Sequence, residues 1–309
     1  MLRRRKGLRA AALSAFFLGM APIFGKQAIL SGLPPLAVVA LRTLFATLLL
    51  FVLIALFKRP FLHIYPLGLI GCLLAGTING VGSLFYYSAL GRIDAGLGQL
   101  LYSLYPVFVA LWLWLDNQPP SRLTLLRIAL ALPAVALLTL GGTHHLDWVG
   151  MGMMLLSAAL YALHLPVNQR VLFDVPAPTV TLYTLSAMSA VTVVAFLMVG
   201  PLRFPTTFAT WWPVLGLTLV TFLSRLTLFL GVKHVGGMQT ALLGLGELLV
   251  TLGLSYGWLH ESLSPLQWAG AALLGVALLL AGLEKPAPPT RPQVNGGWLS
   301  WLRPRGLRM

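Results

Sequence analysis

The sequence predicts an all-α integral membrane protein that crosses a bilayer ten times, built as two inverted five-helix repeats. Three observations predict this. The 309 residues are 58% apolar and only 9% charged, with mean hydropathy +0.87, whereas a soluble domain carries about 25% charged residues. Apolar runs close to the roughly 20 residues that a spanning helix needs recur ten times. The basic residues sit mainly between those runs and at the two ends of the chain.

The segments fall at about 9–30, 34–57, 66–90, 95–115, 122–141, 148–171, 177–200, 211–232, 236–259 and 265–283. Short separators carry turn chemistry, as in Ser31-Gly32-Leu33-Pro34-Pro35, Asp116-Asn117-Gln118-Pro119-Pro120-Ser121 and Val175-Pro176-Ala177-Pro178. The runs are continuously apolar, which excludes the alternating pattern of a membrane β-barrel. The first run follows Arg3-Arg4-Arg5-Lys6 as a signal peptide would. It is longer than the usual 7–15 residues, contains Lys26 and lacks an Ala-x-Ala exit, so it is expected to stay as the first helix.

The expected units are a basic N-terminus at 1–8, a first repeat at 9–141, a second repeat at 148–283 and a Pro/Arg-rich tail at 284–309. Ten crossings starting from inside place sixteen of the 21 Lys and Arg on the inner side. Arg92 and Arg203 fall outside, and Lys26, Arg42 and Arg225 fall within the apolar segments. The asymmetry orients both termini toward the cytoplasm. In the tail, Gly297-Trp298-Leu299-Ser300-Trp301-Leu302-Arg303 could lie on an anionic leaflet or stay disordered. The net charge of +14 forms no reading face for nucleic acid, which is not an expected partner. The single cysteine, Cys72, allows no intrachain disulfide and reads as a small core residue.

A shift of 141 residues brings Arg92 onto Lys233 and Ala95-Gly96 onto Gly236-Gly237. Leu101, Leu104, Val109 and Leu111 then fall on Leu242, Leu245, Val250 and Leu252. Each unit holds five segments, and an odd number forces the second to insert upside down. Inverted repeats are a transporter architecture with the site near the midplane, between the repeats.

The second unit also carries Gly231-Val232-Lys233-His234-Val235-Gly236-Gly237, then Leu245-Gly246-Glu247-Leu248, then Leu259-His260-Glu261-Ser262-Leu263-Ser264-Pro265. This series resembles the drug/metabolite transporter superfamily, EamA type. Glu247 and Glu261 match that family's two glutamates, while Leu248 stands where it has proline and His260 where it has glycine. Gly25-Lys26, Leu41-Arg42 and Tyr105-Pro106-Val107 match the first unit more loosely, and Asp116 stands near its acidic turn residue. The resemblance covers about 10–283. It implies an inner-membrane exporter of small metabolites, with a central cavity lined by segments 1, 3, 4, 6, 8 and 9 and with segments 5 and 10 peripheral.

A lone charge at mid-bilayer costs roughly 3 kcal/mol on insertion scales, so intramembrane charges face a cavity or a partner. Helix rise puts Arg225 about 12 Å and Glu247 about 16 Å from the inner ends of their segments, where they could pair. Lys26 and Arg42 lie about 6–12 Å from the outer ends of theirs and could form an anion-attracting vestibule. Either could instead anchor at the interface. Glu261 reads as a helix cap. Tyr161, His164 and Asn168 share one helical face, which points inward or makes interhelical hydrogen bonds. Tyr86, Gln99 and Tyr102 complete the candidate substrate-binding set, with Asn79 and Tyr87 as further polar positions.

No His-Glu-x-x-His or Walker loop is present. His144-His145 with Asp147 is a weak metal signal and reads better as an exposed loop, and no metal or cofactor is expected. The expected function is a secondary transporter that exports small metabolites, such as amino acids or related compounds, by alternating access. Proton coupling through Glu247, exchanging a proton for substrate, is a further hypothesis. The competing readings are an uncoupled facilitative carrier, a membrane scaffold or sensor, and, of another class, an intramembrane enzyme acting on lipid. The bilayer and a small-molecule substrate are the expected partners, with protons as the candidate coupling ion.

Overall fold

The computed structural model describes residues 2–93, 95–139, 147–199, 208–258 and 264–280. The His144-His145 loop, Arg203, Glu261 and the tail lie outside these residues. Among the described residues all regular structure is helical, in twelve α-helices and one short 3₁₀ turn at Arg59–Leu62.

The helices in chain order are α1 (Leu2–Leu30), α2 (Pro35–Phe57), α3 (Pro66–Leu90), α4 (Ala95–Tyr102), α5 (Tyr105–Leu115) and α6 (Arg122–Thr139). They continue as α7 (Trp148–Leu172), α8 (Ala177–Val199), α9 (Phe208–Val235), α10 (Gly237–Gly244), α11 (Gly246–Trp258) and α12 (Pro265–Leu279). Six of them, α1, α2, α3, α7, α8 and α9, are long and apolar enough to cross a membrane. Leu56, Phe57, Met198 and Val199 on two of these are 67–79% exposed. Lipid can cover such apolar surface and water cannot do so cheaply. The chain is a multi-pass membrane protein.

Proline starts α2, α3 and α5, where its missing N–H is one that the helix would leave unpaired anyway. At the start of α7, Asp147 caps the helix by accepting from the amides of Val149 and Gly150 at 2.9 and 3.2 Å. Its carboxyl also takes Arg92 Nε at 2.7 Å. The Gly150 amide first, and then Arg92, hold the Asp147 carboxyl below its ordinary range.

Two of the ten expected segments are not single helices. Segment 95–115 breaks between α4 and α5, and segment 236–259 breaks between α10 and α11. Pro106 explains the first break, because it cannot donate to the preceding turn. Gly244 and Gly246 flank Leu245 at the second, where glycine lowers the helical preference. The breaks share one geometry. Val107 N donates to Leu104 O at 3.0 Å, and 141 residues further along Leu248 N donates to Leu245 O at 3.1 Å. The sequence shift therefore reappears as a backbone hydrogen bond.

The packing has the same exchange symmetry. α1 lies on α9 as α7 lies on α3, α1 on α11 as α7 on α5, and α2 on α9 as α8 on α3. α2 also packs on α8, and α6 on α12. Swapping the halves turns each contact into another one of the set or, for these last two, into itself.

The two breaks are tied together. The Tyr105 hydroxyl donates to the carbonyl of Ala241 at 2.8 Å. That carbonyl is in the last turn of α10, where helix carbonyls lack intrahelical partners. The same hydroxyl occupies the space that a Cβ at position 244 would need. Gly244→Ala is therefore expected to push Tyr105 aside and cost about 1–3 kcal/mol. Thermal unfolding of the purified variant checks this, and an unchanged midpoint would show that the two breaks are not coupled there.

A candidate substrate cavity at the helix breaks

Glu247 is the second residue of α11, immediately after the break, and Tyr102 is the last residue of α4. The breaks thus bring chain ends and polar side chains to one place. Between them lies a cavity of about 40 Å³. A water needs on the order of 10–15 Å³ by a comparable measure, so the cavity holds about three waters.

Seven of the ten residues expected to bind substrate line this cavity: Arg42, Tyr86, Gln99, Tyr102, Tyr161, Arg225 and Glu247. They come from α2, α3, α4, α7, α9 and α11, while α1 contributes the apolar Leu18 and Ala21. The lining helices include the six segments that the resemblance implies, and α2 is added through Arg42.

Arg42 is 7% exposed. Its Nη1 donates to Thr221 Oγ1 at 3.3 Å, and its Nη2 sits 3.5 Å from Ser83 Oγ, at the limit for a hydrogen bond. The guanidinium lies 4.7 Å from the centre of the Tyr87 ring, within cation–π range. Its Nε is buried without a partner.

Arg225 is 5% exposed. Asn79, with its amide oxygen turned toward the guanidinium, accepts from Nη1 and Nη2, both at 3.2 Å. The Tyr161 ring centre is 5.5 Å away. Glu247 is 3% exposed. It is hydrogen-bonded by the Gln99 side chain, while its Oε1 has no partner. Gln99 in turn accepts from the Tyr86 hydroxyl at 3.2 Å. Among the described residues Arg225 and Glu247 face one cavity without forming an ion pair. Arg42 does not form one either.

Aromatic faces join these groups. Tyr86 contacts Tyr102 at 4.9 Å between ring centres, Tyr102 contacts Tyr161 at 5.3 Å, and Tyr161 contacts Tyr105 at 5.0 Å. Such a wall suits a planar or apolar body, with the charged groups left to fix its polar end.

Three candidate residues lie elsewhere. Lys26 does not share a vestibule with Arg42. Its Nζ donates to the Leu90 carbonyl at 3.0 Å, closing the end of α3 where carbonyls lack intrahelical partners. His164 is fully buried behind Tyr161, with Nδ1 against the Tyr161 carbonyl and the ring beside Phe229. Asn168 donates to the His164 carbonyl at 3.0 Å and accepts from Thr184 of α8 at 3.1 Å. Seven residues of helix separate Tyr161 from Asn168 by about 10 Å along the axis, so a cavity of a few waters cannot reach both.

Ser83 and Ser157 also line the cavity and were missed in the sequence. Ser157 Oγ donates to the Gly82 carbonyl at 2.7 Å and locks α7 against α3. The spacing Asn79, Ser83, Tyr86 is i, i+4, i+7, the signature of one helical face. That signal was available for Ser83.

The fold has relatives among solved structures. One, titled only as the crystal structure of a protein, superposes with a TM-score of 0.75 over 91% of this chain and 97% of that chain, at 16% identity. That likeness concerns the fold. The sequence profile of the EamA-like transporter family matches the chain twice, over residues 5–140 and 148–283. Both halves are thus accounted for, and the protein belongs to the EamA-like transporter family.

Proposed function

We propose that the protein is a secondary transporter of a bacterial inner membrane that exports small metabolites, such as amino acids or related compounds, by alternating access. The observation that carries this reading is the cavity at the two helix breaks. It gathers two guanidiniums, a carboxylate and a tyrosine wall from both halves of the chain. Discontinuous helices around a site between repeats are how transporters place backbone and charge at membrane depth.

In this reading α4 with α5 forms one span, and α10 with α11 another. With α6 and α12 added to the six long helices, the chain crosses ten times, both termini are cytoplasmic, and the second five-helix unit is inverted. The exchange symmetry of the packing supports the two-unit plan. Rocking one half against the other would expose the cavity to each side in turn. The small volume fits a contracted state that widens when substrate enters. Glu247 is the proposed coupling residue, since a buried carboxylate with an unpartnered oxygen can take and release a proton. The same feature favours a coupled carrier over an uncoupled one.

Proteoliposomes preloaded with unlabelled metabolites, and assayed for counterflow of labelled amino acids and organic acids, test the function. Saturable flux that depends on the protein is the expected result. Flux at the level of empty liposomes across the whole panel would remove the transporter reading.

A further inference from the structure

We infer that the cavity takes a small organic carboxylate together with a proton, so that anion and proton bind cooperatively rather than in exchange. This rests on the transporter reading of the same cavity and fixes the charge class of its substrate and the sign of its coupling.

The charge count leads to it. Arg42 and Arg225 are permanently charged, because a guanidinium does not deprotonate in a protein. Both are buried. Hydroxyls, an amide and ring faces surround them, and among the described residues neither has a carboxylate partner. Among the described residues Glu247 is the single carboxylate lining the cavity. With Glu247 ionised the cavity keeps one uncompensated positive charge, and with Glu247 protonated it keeps two. Buried unpaired charge is costly, and an entering anion relieves that cost. A carboxylate presents two acceptor oxygens in the plane that a guanidinium fork matches. The unpartnered Arg42 Nε is one waiting donor. A cationic substrate would instead face both guanidiniums with only Glu247 in its favour.

The sign of coupling follows from the same count. A proton on Glu247 makes the cavity more positive, which strengthens anion binding, and by reciprocity the anion strengthens proton binding. Exchange of one for the other would require a cation. The groups that face Glu247 leave it as the switch. α2 and α9 present Arg42 and Arg225, which stay charged. α3, α4, α5 and α7 present tyrosines, which ordinarily remain neutral up to about pH 10, and the one imidazole near them, His164 of α7, lies behind Tyr161 and outside the cavity lining. α1 presents Leu18 and Ala21 and keeps Lys26 at the Leu90 carbonyl. α10 and α12 contain no ionisable side chain. A monoanion that leaves with one proton moves no net charge, so export can run down the substrate gradient whatever the membrane potential.

The purified full chain with benzoate as the probe tests this, by calorimetry at about pH 6 and about pH 9 in buffers of different ionisation heat. Benzylamine and benzamide serve as the cationic and neutral counterparts. Benzoate is expected to bind about 10-fold or more tightly at the lower pH. Protons should be taken up from the buffer as it binds. Glu247→Gln, which mimics the protonated acid, should abolish the pH difference and keep the tighter affinity. Proton uptake by the wild-type chain decides the question even if that variant fails to fold. Release of protons on benzoate binding, preference for benzylamine, no benzoate binding at either pH, or an unchanged pH difference in Glu247→Gln would each overturn the inference. Metabolite counterflow would survive any of those outcomes, so loss of this inference and loss of the transporter reading are separate results.

Discussion

Asp116→Ala is expected to destabilise the protein by about 3–5 kcal/mol, the usual cost of stranding one partner of a buried ion pair. Asp116 follows the last residue of α5 and is fully buried, and its carboxylate bonds the Arg170 guanidinium in the last turn of α7, itself only 7% exposed. Gln118 adds a hydrogen bond to the same carboxylate at 2.8 Å. Removal of the acid leaves a buried guanidinium that cannot lose its charge and has lost its carboxylate partner. Asp116→Asn should recover part of the loss, since an amide oxygen still accepts from Arg170. Thermal or denaturant unfolding in detergent measures both. The pair joins the two halves of the chain, so equal stability of Asp116→Ala and wild type would mean that this contact does not hold the halves in the observed arrangement.

Arg225→Gln is expected to lower kcat/KM for the transported substrate roughly 30- to 700-fold, from about 2–4 kcal/mol of lost charge-assisted binding. The guanidinium is held between the Asn79 amide oxygen and the Tyr161 face, with its charge turned to the cavity. Glutamine can still hydrogen-bond Asn79 but carries no charge. Arg225→Lys restores the charge without the planar fork and should fall between the two. Counterflow in proteoliposomes gives the rates, and an unfolding curve for each variant separates binding from folding. If Arg225→Gln transports as wild type does, the charge at this position does not contact substrate.

The cavity was partly legible because charge in an apolar segment is conspicuous. Arg42, Arg225 and Glu247 stood out for that reason, and all three line the same space. Lys26 was equally conspicuous and lies elsewhere, since a long flexible side chain can reach a carbonyl at a helix end. Composition cannot tell these outcomes apart. His164 and Asn168 share a face with Tyr161, yet helical spacing gives direction around the axis and says nothing of depth along it. Ser83 and Ser157 carry no charge and look like the many small residues that pack helices in membranes.

The breaks divide the same way. Pro106 marks the first in the sequence, and the 141-residue shift carries it to Glu247, beside the second. That the two meet through Tyr105, Ala241 and Gly244 is a contact across 136 residues, and no local pattern encodes it.

The sequence by itself determined that the chain lives in lipid, that it is built twice over, and which charges are out of place. Those properties follow from hydropathy, helical period and charge, which act along the chain. Only the tertiary structure decided which of those charges meet and at what depth, and that the two guanidiniums share a cavity with Glu247. Contacts between distant helices depend on how side chains of particular length and shape pack, and that is settled when the halves close on each other.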